Sequence, residues 1–161
     1  MQEFESIYPK DKAQCYSLLQ AQLKAMLENE TNLISNLSNT SALINLALED
    51  INWVGFYLMQ DNELQLGPFQ GKPACVHIPI GKGVCGTAVA EGRTQLVKDV
   101  HEFPGHIACD SASRSEIVIP IRKDNKIIGV LDIDSPSLGR FDHIDQEGLE
   151  ELVRILEQSI Q

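Results

Sequence analysis

The sequence predicts one α+β domain, a mostly antiparallel sheet with helices packed on one face. Three observations carry that prediction. Residues 1–50 hold two stretches of helical period. Residues 53–135 switch to period two with turn signals between the runs, and residues 142–160 return to helical period. No internal repeat, low-complexity linker or break in composition divides the chain, and 161 residues suffice for one buried core.

In the first helical stretch Cys15, Leu18, Leu19, Leu23, Met26 and Leu27 recur at steps of three and four, as do Ile34, Leu37, Ile44 and Leu48 in the second. The break "NETN" offers Thr31 or Asn32 as an N-cap. Cys15 lies on the apolar stripe and reads as core, because a free thiol packs as a small hydrophobe. "WVGFYLM" (53–59) is β-branched and aromatic, "QDN" makes a turn, and "ELQLGPF" returns as its hairpin partner. A short strand "CVHIPI" (75–80) leads into glycine-rich sequence and the brief helix "GTAVAEG". "TQLVKDV" is a further strand, and "HEFPGHIACDSASR" (101–114) has no period and reads as a long loop of the functional kind. "EIVIPIR" and "KIIGVLDIDS" form a hairpin around "KDN". The last helix starts near Asp142 and aligns Leu149, Leu152, Val153, Leu156 and Ile160.

Composition narrows the function. A net charge of −10, from 23 acidic against 13 basic residues with no Lys/Arg cluster, opposes nucleic-acid binding. No run is long and apolar enough for a membrane span. The opening "MQEFESIYPKDKAQ" lacks an apolar run behind a basic segment, so no signal peptide and a cytoplasmic location are expected. There thiols stay reduced unless disulfide formation is part of a cycle.

Gly81, Gly83 and Gly86 match GxGxxG after a strand and before a helix. The helix is too short for a dinucleotide-binding unit, and the only nearby acid, Asp99, comes too soon. The glycines read instead as a sharp turn with positive φ that brings backbone close to a ligand. Helix N–H groups there suit a carboxylate.

Cys75, Cys85 and Cys109 fall at a strand start, a glycine turn and a long loop, and none lies on a regular apolar stripe. Core packing and zinc, with Cys75, His77, Cys85 and Cys109 as ligand types, are the plainer readings. The paired spacing of structural zinc sites is missing. Redox or nucleophilic chemistry suits thiols on mobile, polar segments. Asp132 and Asp134 lie at i and i+2 in "VLDIDS" and share a sheet face. If "KDN" is a three-residue loop, Arg122 pairs with Lys126 and Glu116 falls opposite Asp132, putting all three carboxylates on one face. A two-residue turn sends Glu116 to the other face. Such a cluster can hold an ammonium group, act as a general acid, bind a hard metal or stand as a row of solvated charges. Trp53 and Tyr57 point one way and Val54, Phe56 and Leu58 the other, so the aromatics can wall a small ligand or pack in the core. Thiols on loops, acids on a floor and aromatics at the side suit a small zwitterion.

"GKPACVHIPIGKGVCGTA", "GHIACDSASRSEIVIPI" and "GVLDIDSPSLGRF" resemble the signature segments of the free methionine-(R)-sulfoxide reductases, single GAF domains. The likeness runs from about Trp53 to the last helix. It implies a GAF-like six-stranded antiparallel sheet with helices behind it, a cavity roofed by loops, and no metal or organic cofactor. It implies reduction of free methionine (R)-sulfoxide, with Cys109 as attacking thiolate, Cys75 as resolving thiol and Cys85 as an auxiliary thiol. Glu116, Asp132 and Asp134 would hold the substrate's ammonium group and assist protonation of the sulfoxide oxygen, and Trp53 and Tyr57 would contact its methyl-sulfur end. A thioredoxin-type reductant and a homodimer complete the expectation. His77 departs from the family pattern, where arginine is expected, and Cys15 lies outside the motifs. The competing readings are a GAF module that binds a small ligand without turnover and a thiol redox sensor. A ten-spaced cysteine pair is not something ligand signalling requires.

Overall fold

The computed structural model describes residues 7–107 and 109–161. Two helices open the chain, α1 (Lys12–Leu27) and α2 (Leu33–Ala47). Asn32 is the N-cap of α2 and accepts from the Ser35 N–H at 3.0 Å, which decides between the two candidate caps. The strands are β1 (Trp53–Gln60), β2 (Glu63–Gly71), β3 (His77–Pro79), β4 (Gln95–Val97), β5 (Ser115–Lys123) and β6 (Lys126–Ser135). They form one sheet in the order β3-β2-β1-β6-β5-β4, and every neighbouring pair is antiparallel. Helix α3 (Gly83–Glu91) links β3 to β4, and α4 (His143–Ser159) closes the fold.

Side-chain alternation along the strands separates two cores. Val54, Phe56, Ile117, Ile119, Ile121, Leu131 and Ile133 face α1, α2 and α4, whose Leu19, Leu23, Leu37, Ile44, Leu149 and Leu152 complete a dry interior. The three long helices thus share one face, as the periodicity suggests. The short α3 lies on the other face, where Val84, Cys85 and Ala88 pack with Trp53, Tyr57, Val118 and Val130. Asp145, 1% exposed, ties α1 to α4. It receives Lys12 Nζ at 2.6 Å and Tyr16 Oη at 2.7 Å while closing a capping box with Asp142. Cys15 is buried in the dry core, as its place on the stripe predicts. Among the described residues no helix is long and apolar enough to cross a membrane.

The β5–β6 hairpin corrects the expected register. Asp124 and Asn125 are both left-handed, with φ of 51° and 63°, so the connection is a two-residue turn with Lys123 opposite Lys126. The three-residue loop with Arg122 against Lys126 does not form. A two-residue turn alone would send Glu116 to the dry face. Instead Arg122 faces Ile127 and Ile121 faces Gly129, so Ile128 is an extra residue, a bulge that restores the parity. Glu116 lands opposite Asp134 rather than Asp132, and all three carboxylates stay on the α3 face.

Candidate active site

The floor of the site begins with the alternation of β1. Trp53 and Tyr57, 3% and 2% exposed, stand on the α3 face. Trp53 stacks on Phe69 at 5.3 Å and on Tyr57 at 5.9 Å between ring centroids. Gly55 lies between them, and a Cβ there would come within 2.3 Å of Phe69 Cβ, so only glycine admits this close approach. Both polar tips are used. Trp53 Nε1 donates to the Lys72 carbonyl at 3.1 Å and Tyr57 Oη to the Cys75 carbonyl at 3.0 Å, which fastens residues 72–75 to the floor.

Beside the aromatics lie the acids. Glu116 and Asp132 are 7% and 5% exposed. Burial pushes the Glu116 carboxyl well up, and the charges of Asp132 and Asp134 add to the rise. Asp134 is raised by burial and then by Asp132. Burial raises Asp132 to about 6, held from rising further by hydrogen bonds from the Glu116, Cys85 and Asp134 side chains. Asp132 is thus the member of the cluster that ionises most readily. Asp132 Oδ1 and Asp134 Oδ1 are buried with no hydrogen-bond partner among the described residues. Two such orphaned acceptors are costly unless water or a ligand in the adjoining cavity supplies N–H or O–H donors.

The cysteines divide. Cys75 and Cys109 form a disulfide with Cα atoms 5.9 Å apart, joining the segment between β2 and β3 to the loop before β5. Cys75 precedes the strand rather than starting it, since β3 spans only His77–Pro79. Cys85 lies in the first turn of α3 and not in a glycine turn; it is free and 4% exposed. Burial pushes its thiol well up, and the nearby Asp132, Glu116 and Asp134 carboxylates oppose its ionisation further. Donor atoms of Cys85, Glu116 and Asp132 lie within 4.8 Å of one another, a thiol and two carboxylates of the kind a borderline divalent cation accepts.

Trp53, Tyr57, the three acids, Cys85 and Cys109 line one cavity together with Lys72, Lys82, Gly83, Val84 and His106. With the disulfide formed its volume is about 40 Å³, room for a few waters rather than for an amino acid. The glycine segment forms its wall. Gly81 and Gly83 have φ of 84° and 60°, and the first helical bond of α3 runs from Gly86 N–H to the Lys82 carbonyl at 3.0 Å. The N–H groups of Gly83, Val84 and Cys85 therefore precede the helical ladder and are available to an anion. His77, where the resemblance implies arginine, lies outside the cavity, exposed and paired with Glu63 at 2.5 Å.

Some residues of the site carried no periodic signal. His106, Asp110 and Ser113 line the cavity from the irregular loop. Asn52, just before β1, donates through Nδ2 to Asp110 Oδ2 at 3.1 Å and Ser113 Oγ at 3.0 Å. The quoted segment "GHIACDSAS" contains the first three, but nothing local tells which of its side chains turn inward.

Comparison with known proteins agrees with this geometry. The GAF domain family model matches residues 40–161. The free methionine-R-sulfoxide reductase of Escherichia coli is 55% identical over 148 residues, covering 92% of this chain and 90% of that protein. The structure of fRMsr of Staphylococcus aureus in complex with substrate superposes with a TM-score of 0.87 at 64% identity, over 89% of this chain and 94% of that one. The free methionine-R-sulfoxide reductase of Neisseria meningitidis in complex with its substrate gives a TM-score of 0.91 at 46% identity, over 99% and 93% of the two chains. An antiparallel sheet with acids and aromatics on one face beside a disulfide, and this identity across nearly the whole chain, place the protein in the GAF domain family, in the group that contains the free methionine-R-sulfoxide reductases.

Proposed function

We propose that the protein reduces free methionine (R)-sulfoxide to methionine. The observation that carries this reading is the Cys75–Cys109 disulfide at the rim of a cavity floored by three buried carboxyls, two of which have orphaned oxygens. In the reduced enzyme Cys109, the exposed partner, attacks the sulfoxide sulfur as thiolate. A carboxyl of the Glu116–Asp132–Asp134 cluster donates a proton to the sulfoxide oxygen. The oxygen passes to Cys109 as a sulfenic acid, the sulfur keeps an electron pair, and methionine leaves. The Cys75 thiol then displaces that oxygen as water and forms the disulfide. A thioredoxin-type dithiol returns both sulfurs to thiols by exchange, so each turnover converts one sulfoxide and two thiols into methionine, a disulfide and water.

Binding follows from the same geometry. The substrate's ammonium supplies donors to the orphaned oxygens of Asp132 and Asp134, and its carboxylate meets the N–H groups at the start of α3. Trp53 and Tyr57 wall the methyl-sulfur end. A pocket that holds both charged ends of an amino acid excludes methionine sulfoxide within a peptide. Cys85, buried on a helix with its thiol kept neutral, serves as an S–H donor to Asp132, and exchange with the other sulfurs would need α3 to move. The reading includes a cytoplasmic location, where dithiol reductants are at hand, and a homodimer built on the N-terminal helices.

The test is methionine release, with dithiothreitol as reductant, from free (R)-sulfoxide, free (S)-sulfoxide and an (R)-sulfoxide peptide. Activity on the first alone is expected. Absence of activity on all three would leave a ligand-binding or redox-sensing GAF module. Cys75→Ser should release one methionine per enzyme and stop, and undiminished cycling with thioredoxin would remove Cys75 from the resolving role.

A further inference from the structure

We infer that Asn52 is a positioning residue for the Cys75–Cys109 pair: its side-chain amide holds the Cys109 segment at the start of β1, beside the point where Trp53 holds the Cys75 segment. Asn52 is itself anchored, because its backbone N–H donates to the Asp134 carbonyl at 2.9 Å. From there Nδ2 reaches Asp110 and Ser113, one and four residues beyond Cys109. Asp110 Oδ1 accepts from the Ala112 N–H at 2.9 Å, which folds the segment into a turn around the same carboxylate. That backbone bond, with the Asn52 amide and the Lys72 ammonium, holds the Asp110 carboxyl below the usual range.

The adjacent residue does the matching work on the other segment. Trp53 Nε1 fastens the Lys72 carbonyl and Tyr57 Oη the Cys75 carbonyl. Two neighbouring side chains of one strand end therefore gather two loops whose cysteines are 34 residues apart in sequence. The Asn52 Oδ1 is buried with no partner among the described residues, so the amide serves by its donor alone. Without that donor the Cys109 segment ranges more widely, and the effective concentration of one thiol at the other falls. Asn52 does not line the cavity, so its effect is on the meeting of the sulfurs and not on contact with the ligand.

The effect on the disulfide stands by itself, while its consequence for turnover rests on the reductase reading. The experiment equilibrates the protein in glutathione buffers. Glutathione disulfide takes two electrons from the Cys75 and Cys109 thiols and leaves as two glutathione thiols, and alkylation with mass measurement gives the effective concentration. A hydrogen bond to a charged acceptor predicts that Asn52→Ala lowers that concentration by roughly tenfold. Asn52→Asp, which sets a carboxylate against Asp110, lowers it further, and Ser113→Ala lowers it by less. Should Asn52→Ala not fold, Asp110→Ala at the outer end of the same contact takes its place with the same expectation. An effective concentration within twofold of the parent's would overturn the assignment. In turnover, Asn52→Ala should lower kcat and KM for the sulfoxide together with kcat/KM unchanged, and a raised KM with kcat intact would also count against it. A parent with no activity would strike the reductase reading and leave the glutathione equilibrium to decide the role of Asn52.

Discussion

The two faces of the sheet are built from the same strands and do opposite things. Toward α1, α2 and α4 the strands present valine, isoleucine, leucine and Phe56, and polar groups buried on this side have partners, as Thr40 and Ser41 do at α2 carbonyls and Asp145 does in the α4 cap. Toward α3 the alternate residues of β5 and β6 include Glu116, Asp132 and Asp134, whose carboxyls have no ion-pair partner among the described residues. The first face stabilises the fold by removing apolar surface from water. The second costs stability, and under the proposed function the substrate's ammonium would offset that cost.

The sharpest way to break this comparison is a neutral substitution on the wet face. Asp132→Asn should lower kcat/KM for free methionine (R)-sulfoxide on the order of a thousandfold while leaving the melting temperature equal or higher. A variant that lost stability in step with activity would show that the acids hold the fold together. On the dry face the outcome reverses. Phe56→Ala should cost about 3–5 kcal/mol in urea unfolding, with activity per folded molecule retained. A cost below about 1 kcal/mol would mean that this core is less tightly packed than its burial shows.

The faces also respond to pH with opposite sign. Asp132, raised to about 6 in the folded chain from an unfolded value of about 3.9, contributes stability that is complete below the unfolded value and is lost as pH rises through 6. The loss amounts to about 3 kcal/mol at most, and Glu116 and Asp134 shift in the same direction. On the helix side burial raises Asp142, but the Asp145 backbone N–H and the Lys12 ammonium outweigh it and bring the carboxyl to about 2. Its contribution is present above the ordinary carboxylate value and is lost as pH falls through 2. Unfolding of the parent and Asp132→Asn between pH 4 and 8 should therefore diverge, with the variant gaining as pH rises, and saturating ligand should close the gap. Parallel curves would place the Asp132 carboxyl in the ordinary range. The smallest effect belongs to the cap far from the site. Asn32→Ala should cost about 1 kcal/mol and leave both kcat and KM untouched.

The elements themselves were legible because their signals are local. Period three-to-four marked α1, α2 and α4, period two marked β1, β2, β5 and β6, and the short helix and edge strands were found with shifted ends. Asp132 and Asp134 share a face for the same local reason, and the spacing and setting of Cys75, Cys85 and Cys109 pointed to a reactive site. What the sequence alone determined is therefore the list of elements, their faces and the chemistry available. Only the tertiary structure decided which groups meet. Glu116 reached its acidic partners through a two-residue turn corrected by the bulge at Ile128, and no local pattern counts residues across a hairpin. Cys85 became a buried neighbour of Asp132 because α3 packs on the face opposite the long helices. Asn52 acquired its role from a loop some sixty residues away. Each of these depends on contacts between segments distant in the chain. Their energies come from packing and desolvation that exist only once the sheet has formed, so no stretch of sequence read by itself contains them.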